Sequence, residues 1–260
     1  MQELNLPEIA WKTIDGYRHL NLGGKEVACP YFINIHKAKD LRAMVGKGTP
    51  EEIEIEAKMW EKLKGVNFDN MSVSEIRQFL IDKGIGIDCS GFVMHVLNEW
   101  YKDNYKRAIW GKLNIPNKSI LHKIAYMLKP VQKLGAEIIT NKENSKVIKI
   151  NNVLPGDLIR SKWKRQNGHH VLLISNVIKD ESGNVTEIDY INSTEQYGSE
   201  NGVRIGKIKI TNPNGDLQNQ HWLDEDSDGT NHTYEGFMVN VEDNGIRRIR
   251  AMEKLQKALK

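Results

Sequence analysis

Cys89 stands where a thiol is set up to react. Residues 86–100 read GIDCSGFVMHVLNEW, and Val93, Val96, Leu97 and Trp100 recur at helical spacing after the cysteine. Cys89 is therefore expected in the first turn of an amphipathic helix. Backbone N–H groups there have no intrahelical acceptor, and the positive end of the helix dipole lies beneath the sulfur. A free cysteine titrates near ~8.5, and a helix N-terminus or a neighbouring imidazolium lowers that to roughly 3.5–7.5. Taken alone, the segment is explained equally well by a buried cysteine acting as a small apolar residue.

A reactive thiol needs a base within hydrogen-bond reach, and the base needs a third group to fix its tautomer. Candidates follow in order. Leu154-Pro155-Gly156-Asp157-Leu158-Ile159 reads as a turn feeding a strand. GHHVLLI, residues 168–174, reads as a second strand with His169 and His170 at its start. After a turn at residues 180–184, IDYINS, residues 188–193, reads as a third. Adjacent side chains on a strand point to opposite faces, so only one of the two histidines meets Cys89.

With DCSGFV, PGDL, HHV and INST in that order, residues 86–194 resemble the NlpC-type, papain-like cysteine peptidases. The resemblance implies that Cys89 is the nucleophile and that His170, directly before Val-Leu-Leu, is the base. It makes Asn192 the orienting residue, a place often held by histidine in this family and by asparagine in papain-like enzymes generally. Asp88, Ser90 and His169 then border the cleft. The implied fold is α+β and papain-like, with the nucleophile helix packed on an antiparallel sheet. The implied activity is a thiol hydrolase that cleaves an amide bond without a cofactor. Its substrate would be a peptide or peptidoglycan fragment, cut next to a D-amino acid or diaminopimelate. Thiol acyltransferases and protein-directed deamidases use the same site, and a non-catalytic binding module would keep the scaffold alone.

One departure from the family pattern matters. Members carry Tyr-x-x-Gly shortly before the cysteine, whereas residues 79–87 contain no tyrosine. Cys29-Pro30-Tyr31 is read as that element displaced upstream by an inserted helical segment, which would bring Tyr31 into the cleft. A tyrosine in a half-buried strand is the alternative.

Several elements must position these residues. A hairpin is expected over residues 17–22 and 25–35 around Gly23-Gly24. Thr49-Pro50-Glu51-Glu52 has capping-box spacing with proline at the first helical position, which predicts a helix over 50–64. Ser72-Val73-Ser74-Glu75 repeats the signature and starts a helix closed by Gly84. Gly46-Lys47-Gly48-Thr49 lacks the leading glycine of a phosphate loop and reads as a turn. Residues 118–134 carry Ile120, Leu121, Ile124, Leu128 and Val131 at helical spacing and read as a core helix. Residues 203–211, 236–241 and 246–251 alternate like strands, and 252–260 has room for a short helix or a frayed end. Helices first and strands later give helices on one face of an antiparallel sheet. The expected organisation is one elaborated domain: an N-terminal hairpin (1–35), a helical insertion (36–82), a catalytic core (83–200) and a strand-rich extension (201–260).

A second motif is formally exact. Asp224, Asp226 and Asp228-Gly229, with Glu235 in the twelfth place, have the spacing of a calcium loop, so a structural calcium ion is a candidate. Two features oppose it. Asn231 takes the usually apolar eighth place, and the flanks read as loop and strand rather than two helices. A solvated acidic turn is the alternative.

Composition bounds the rest. The chain has 260 residues, 39% hydrophobic and 27% charged, enough for a sizeable core. A net charge of +3 with scattered lysines argues against nucleic acid and leaves room for weak affinity to anionic polymers such as cell-wall material. Two cysteines are too few for a disulfide framework, and bridging them would consume the nucleophile. Residues 1–22 lack a basic segment followed by an apolar run, and nothing approaches ~18 apolar residues. No membrane partner is expected, and the chain reads as cytoplasmic or as the mature form of an exported protein. The remaining histidines (His19, His36, His95, His122, His221 and His232) lack partners at zinc-site spacing.

Overall fold

A computed structural model describes residues 1–33, 42–115, 126, 129–162, 168–226 and 228–259. The chain runs β1 (Gln2–Asn5), α1 (Glu8–Arg18), the hairpin β2 (Leu20–Leu22) and β3 (Lys25–Val27), α2 (Pro50–Lys64), α3 (Val73–Lys83) and α4 (Cys89–Tyr105). Then come β4 (Ser145–Val147), β5 (Leu158–Lys162), β6 (His169–Lys179), β7 (Val185–Thr194), β8 (Gly202–Lys209), β9 (His221–Trp222) and β10 (Gly245–Ile249), with short helices at Ala136–Thr140, His232–Met238 and Glu253–Lys257.

Both capping boxes fold as their spacing predicts. Thr49 and Glu52 satisfy each other's backbone N–H groups at the start of α2, as do Ser72 and Glu75 at α3, and Gly65 and Gly84 close the helices in the left-handed conformation.

The large sheet is antiparallel in the order β4-β10-β5-β6-β7-β8-β9, and β1 pairs with the far end of β6. It is a mixed helix and antiparallel-sheet structure, as the α+β expectation states. Helices cover one face: Val171, Leu173 and Ile191 join Phe92, Val96 and Leu97 of α4 and Ile14 and Tyr17 of α1 in one core. The opposite face is buried as well. Leu172, Ile174, Ile188, Tyr190 and Ile208 pack under Trp222 and Phe237. A one-sided sheet was therefore half of the arrangement, and the long apolar runs of β6 and β7 reflect burial on both faces.

Other expectations need correction. The hairpin is only β2 and β3, because Tyr17 ends up on α1, where its ring meets Phe92 edge-on at 5.6 Å. Residues 236–241 are not a strand. His232–Met238 is helical, started by the Asn231 side chain accepting from the Tyr234 N–H, and Phe237 is its anchor in the second core. Most of the helix expected over 118–134 lies outside the described residues, of which Pro130–Lys133 form a short helical turn. The segment 201–260 contributes β8 beside β7 and β10 between β4 and β5, so it is woven through the sheet. Asp157 of the PGDL turn ties it in, accepting from Arg248 Nε (2.7 Å), Arg248 Nη2 (2.6 Å) and Gln256 Nε2 (2.8 Å).

Candidate active site

The site is built at the first turn of α4. Asp88 is the N-cap, with extended backbone, and its Oδ1 accepts from the Gly91 N–H at 2.6 Å. The Gly46 carbonyl accepts from the Asp88 N–H at 2.9 Å, which presses the preceding loop against the helix start. That approach needs glycine at position 91, where an added Cβ would lie 2.6 Å from the Gly46 oxygen.

Cys89 follows the cap, and its sulfur lies against the Val171 and Ser90 backbone N–H groups. Val171 is the residue after His170, so the helix start meets β6 at the histidine. The β6–β7 ladder runs only as far as the Leu173–Ile191 pair, which leaves a gap where the two strands part. The helix start fills that gap, with Ser193 Oγ donating to the Ile87 carbonyl at 2.8 Å.

His170 and Asn192 lie on the neighbouring strands at this gap, with His170 Nε2 3.1 Å from Asn192 Nδ2. An amide presents oxygen or nitrogen at nearly the same place. Turned about its last bond, Asn192 offers the imidazole its Oδ1, which has no other partner among the described residues. Alternation gives His170 the parity of Leu172, whereas Val171 and Leu173 face α4. That parity sets His170 on the face away from α4, beside Thr194, Thr233 and Gly236.

Burial sets the charge state. Cys89 is 5% and His170 7% exposed. Desolvation pushes the thiol up to about 12; Asp88 adds to the rise, while Lys47 and the two backbone N–H groups oppose it. Desolvation also pulls the imidazole down to about 4. Burial thus favours the neutral thiol and the neutral imidazole at neutral pH.

Tyr31 comes to the same place. It makes a parallel bridge with Ile87 and is buried, and its hydroxyl is pushed up by burial and by the nearby Cys89 and Asp88. Cys29, two residues earlier, is a free buried thiol, as is Cys89.

The other expected cleft residues are placed differently. Asp88 and Ser90 are buried and bind Lys47. His169 lies opposite His170, with Nε2 3.8 Å from Glu137 Oε2, and burial and Arg160 pull its ring down. Lys47 itself was missed. Its only sequence signal was a short Gly-Lys-Gly turn, which does not tell a solvated lysine from a buried one.

In the acidic loop the candidate calcium ligands contact protein groups. Asp224 is buried and accepts from Arg204 Nη2 (2.9 Å), with Thr233 Oγ1 and the Tyr190 hydroxyl also against it. Asp226 contacts His232 Nε2 at 3.2 Å, and Asp228 Oδ1 accepts from the Thr230 N–H at 2.8 Å. Glu235 sits in the first turn of the following helix. Among the described residues no three His, Cys, Asp or Glu side chains gather as a metal would require.

A depression of about 850 Å³ between residues 147–152 and 213–218 shares no residue with the Cys89 site. No described helix is long and apolar enough to cross a membrane. No protein-family model and no curated protein matches the chain.

Proposed function

We propose that the protein is a thiol hydrolase of the NlpC-type, papain-like kind that cleaves an amide bond with Cys89, His170 and Asn192. The supporting observation is the junction of a capped helix start with β6, where the Cys89 sulfur meets the peptide following His170 and Asn192 lies on that ring. In this reading His170 Nδ1 takes the thiol proton as the sulfur attacks the carbonyl carbon. Asn192 Oδ1 accepts from Nε2–H and steadies the imidazolium that forms. The Cys89 backbone N–H, a first-turn donor without an intrahelical acceptor, faces the developing oxyanion. Tyr31 supplies a hydroxyl at the rim. His170 then returns the proton to the leaving amine, the C–N bond breaks, and a thioester remains. Water, deprotonated by His170, attacks the thioester, releasing the carboxylate and restoring the thiol.

The substrate class proposed is a bacterial cell-wall peptide with its link next to a D-amino acid or diaminopimelate. Muropeptides incubated with wild type and with Cys89→Ala, then separated by mass spectrometry, test it. New peptide ends made only by the wild type are expected. Ammonia release from glutamine side chains, or acyl transfer to added amines, with intact muropeptides, would replace this substrate class.

A further inference from the structure

The cap of α4 poses a physical conflict. A carboxylate is a strong N-cap, because it accepts from the N–H groups of the first turn and complements the helix dipole. Next to a nucleophilic sulfur, however, a negative charge opposes the thiolate that must form during attack. A cation placed on the carboxylate side, away from the sulfur's line of attack, removes the conflict.

Lys47 occupies that position. Its Nζ lies 2.8 Å from Asp88 Oδ1 and 2.8 Å from Asp88 Oδ2, 2.5 Å from Ser90 Oγ, and 3.5 Å from the Leu134 carbonyl. Ser90 Oγ donates to Asp88 Oδ1 at 3.1 Å, closing a triangle beneath the first turn. Lys47 is 6% exposed, which is unusual for a lysine and costly unless the charge is matched. Its backbone is held as firmly. Lys47 bridges Ile87 antiparallel, its carbonyl accepts from His95 Nε2 at 2.9 Å, and the adjacent Gly48 carbonyl accepts from the Tyr17 hydroxyl at 2.8 Å. Ile87 just before α4, His95 on it and Tyr17 of α1 thus aim this ammonium at the cap.

We infer that Lys47 is a positioning residue for the nucleophile: paired with Asp88, it lets the helix start keep its anionic cap without presenting an unopposed negative charge to Cys89. The inference rests on the proposed role of Cys89. The charged or titratable groups that act on the thiol are Asp88 at the cap of its helix, Lys47 from the preceding loop and Tyr31 from the segment bridged to Ile87, and His170 lies on β6 one residue before Val171, whose N–H meets the sulfur. β7 offers only the uncharged Asn192 and Ser193. Lys47 is the one cation of this set that acts through Asp88 and Ser90 rather than by contact with the sulfur.

The test is the rate of Cys89 alkylation by iodoacetamide against pH, read at the Cys89 peptide by mass spectrometry, in wild type, Lys47→Met, Lys47→Gln and Lys47→Arg. Loss of a neighbouring opposite charge moves a titration by roughly one unit or more, so at a fixed pH below the midpoint alkylation should slow at least about tenfold in Lys47→Met. Lys47→Gln keeps a donor for Asp88 and Ser90 without the charge, so it should fold if Lys47→Met does not, and it should show the same displaced profile. Lys47→Arg should restore the wild-type profile. Wild-type profiles in both Met and Gln variants, whatever their melting temperatures, would overturn the inference and reduce Lys47 to a structural tie. Because no substrate enters this assay, a displaced profile in a protein that cleaves no amide would sink the hydrolase reading and leave this one standing.

Discussion

Asn192 and His170 meet across the parting ends of β6 and β7, 3.1 Å apart and both buried, with the start of α4 wedged into the gap beside them. This contact fixes the imidazole from the side away from the helix, so the two ring nitrogens have separate tasks. Cys89→Ala is expected to abolish turnover and leave the fold intact, since alanine is tolerated in a first turn. Asn192→Ala should slow turnover roughly tenfold, the loss of one positioning hydrogen bond of about 1–1.5 kcal/mol. Side-by-side kinetics with melting curves check both; equal losses in the two variants would contradict the division of roles.

A neutral His170 makes stability depend on pH in a defined window. Its folded titration lies near 4, depressed by burial, while an unfolded histidine titrates near ~6.5. Above ~6.5 both states are neutral there and the stability is fully present. As pH falls from there towards 4, the unfolded chain binds the proton first, and up to roughly 3 kcal/mol is lost. Urea melts between pH 4 and 7 should show this slope, and His170→Gln should flatten it.

The legible parts of this fold were those with short-range chemistry. Thr49 and Ser72 announce helix starts because a cap acts over three residues, and the β5–β7 strands follow from unbroken apolar runs between turn signals. Tyr17 and Phe237 were misplaced for the opposite reason. Each sits in a segment of weak local preference, and burial in a core assembled from distant residues decided helix over strand. At the proposed site, motif order names Cys89, His170 and Asn192, and the last two meet in the fold. Lys47 was not, because only the folded chain brings residue 47 against residues 88 and 90.

The PGDL motif also has a structural task. Asp157 is fully buried and accepts from two of the Arg248 guanidinium nitrogens, so the C-terminal segment is tied to the strand preceding His170. Arg248→Met should leave Asp157 buried without its cation and cost about 3–5 kcal/mol. Denaturant unfolding measures it, and a loss under 1 kcal/mol would show that Gln256 and the Leu154 N–H, which donates to Asp157 Oδ2 at 2.9 Å, suffice.

The acidic loop is expected to ignore calcium, since Arg204 already neutralises Asp224. Melting temperatures in millimolar calcium and in excess EGTA should coincide. A calcium site at a hundredfold excess over its dissociation constant would instead add roughly 2.7 kcal/mol. Asp224→Asn should destabilise the fold equally in both buffers.

The account turns on Cys89 as an acyl acceptor served by His170. p-Nitrophenyl acetate supplies an activated acyl group that needs no substrate recognition, and peptide mass spectrometry locates the acetyl group it leaves. Wild type at neutral pH should carry a transient acetyl on Cys89 that clears as the thioester hydrolyses, and His170→Ala should acquire it far more slowly. Acetylation spread over surface lysines with Cys89 untouched, or a Cys89 rate indifferent to His170→Ala, would contradict the account.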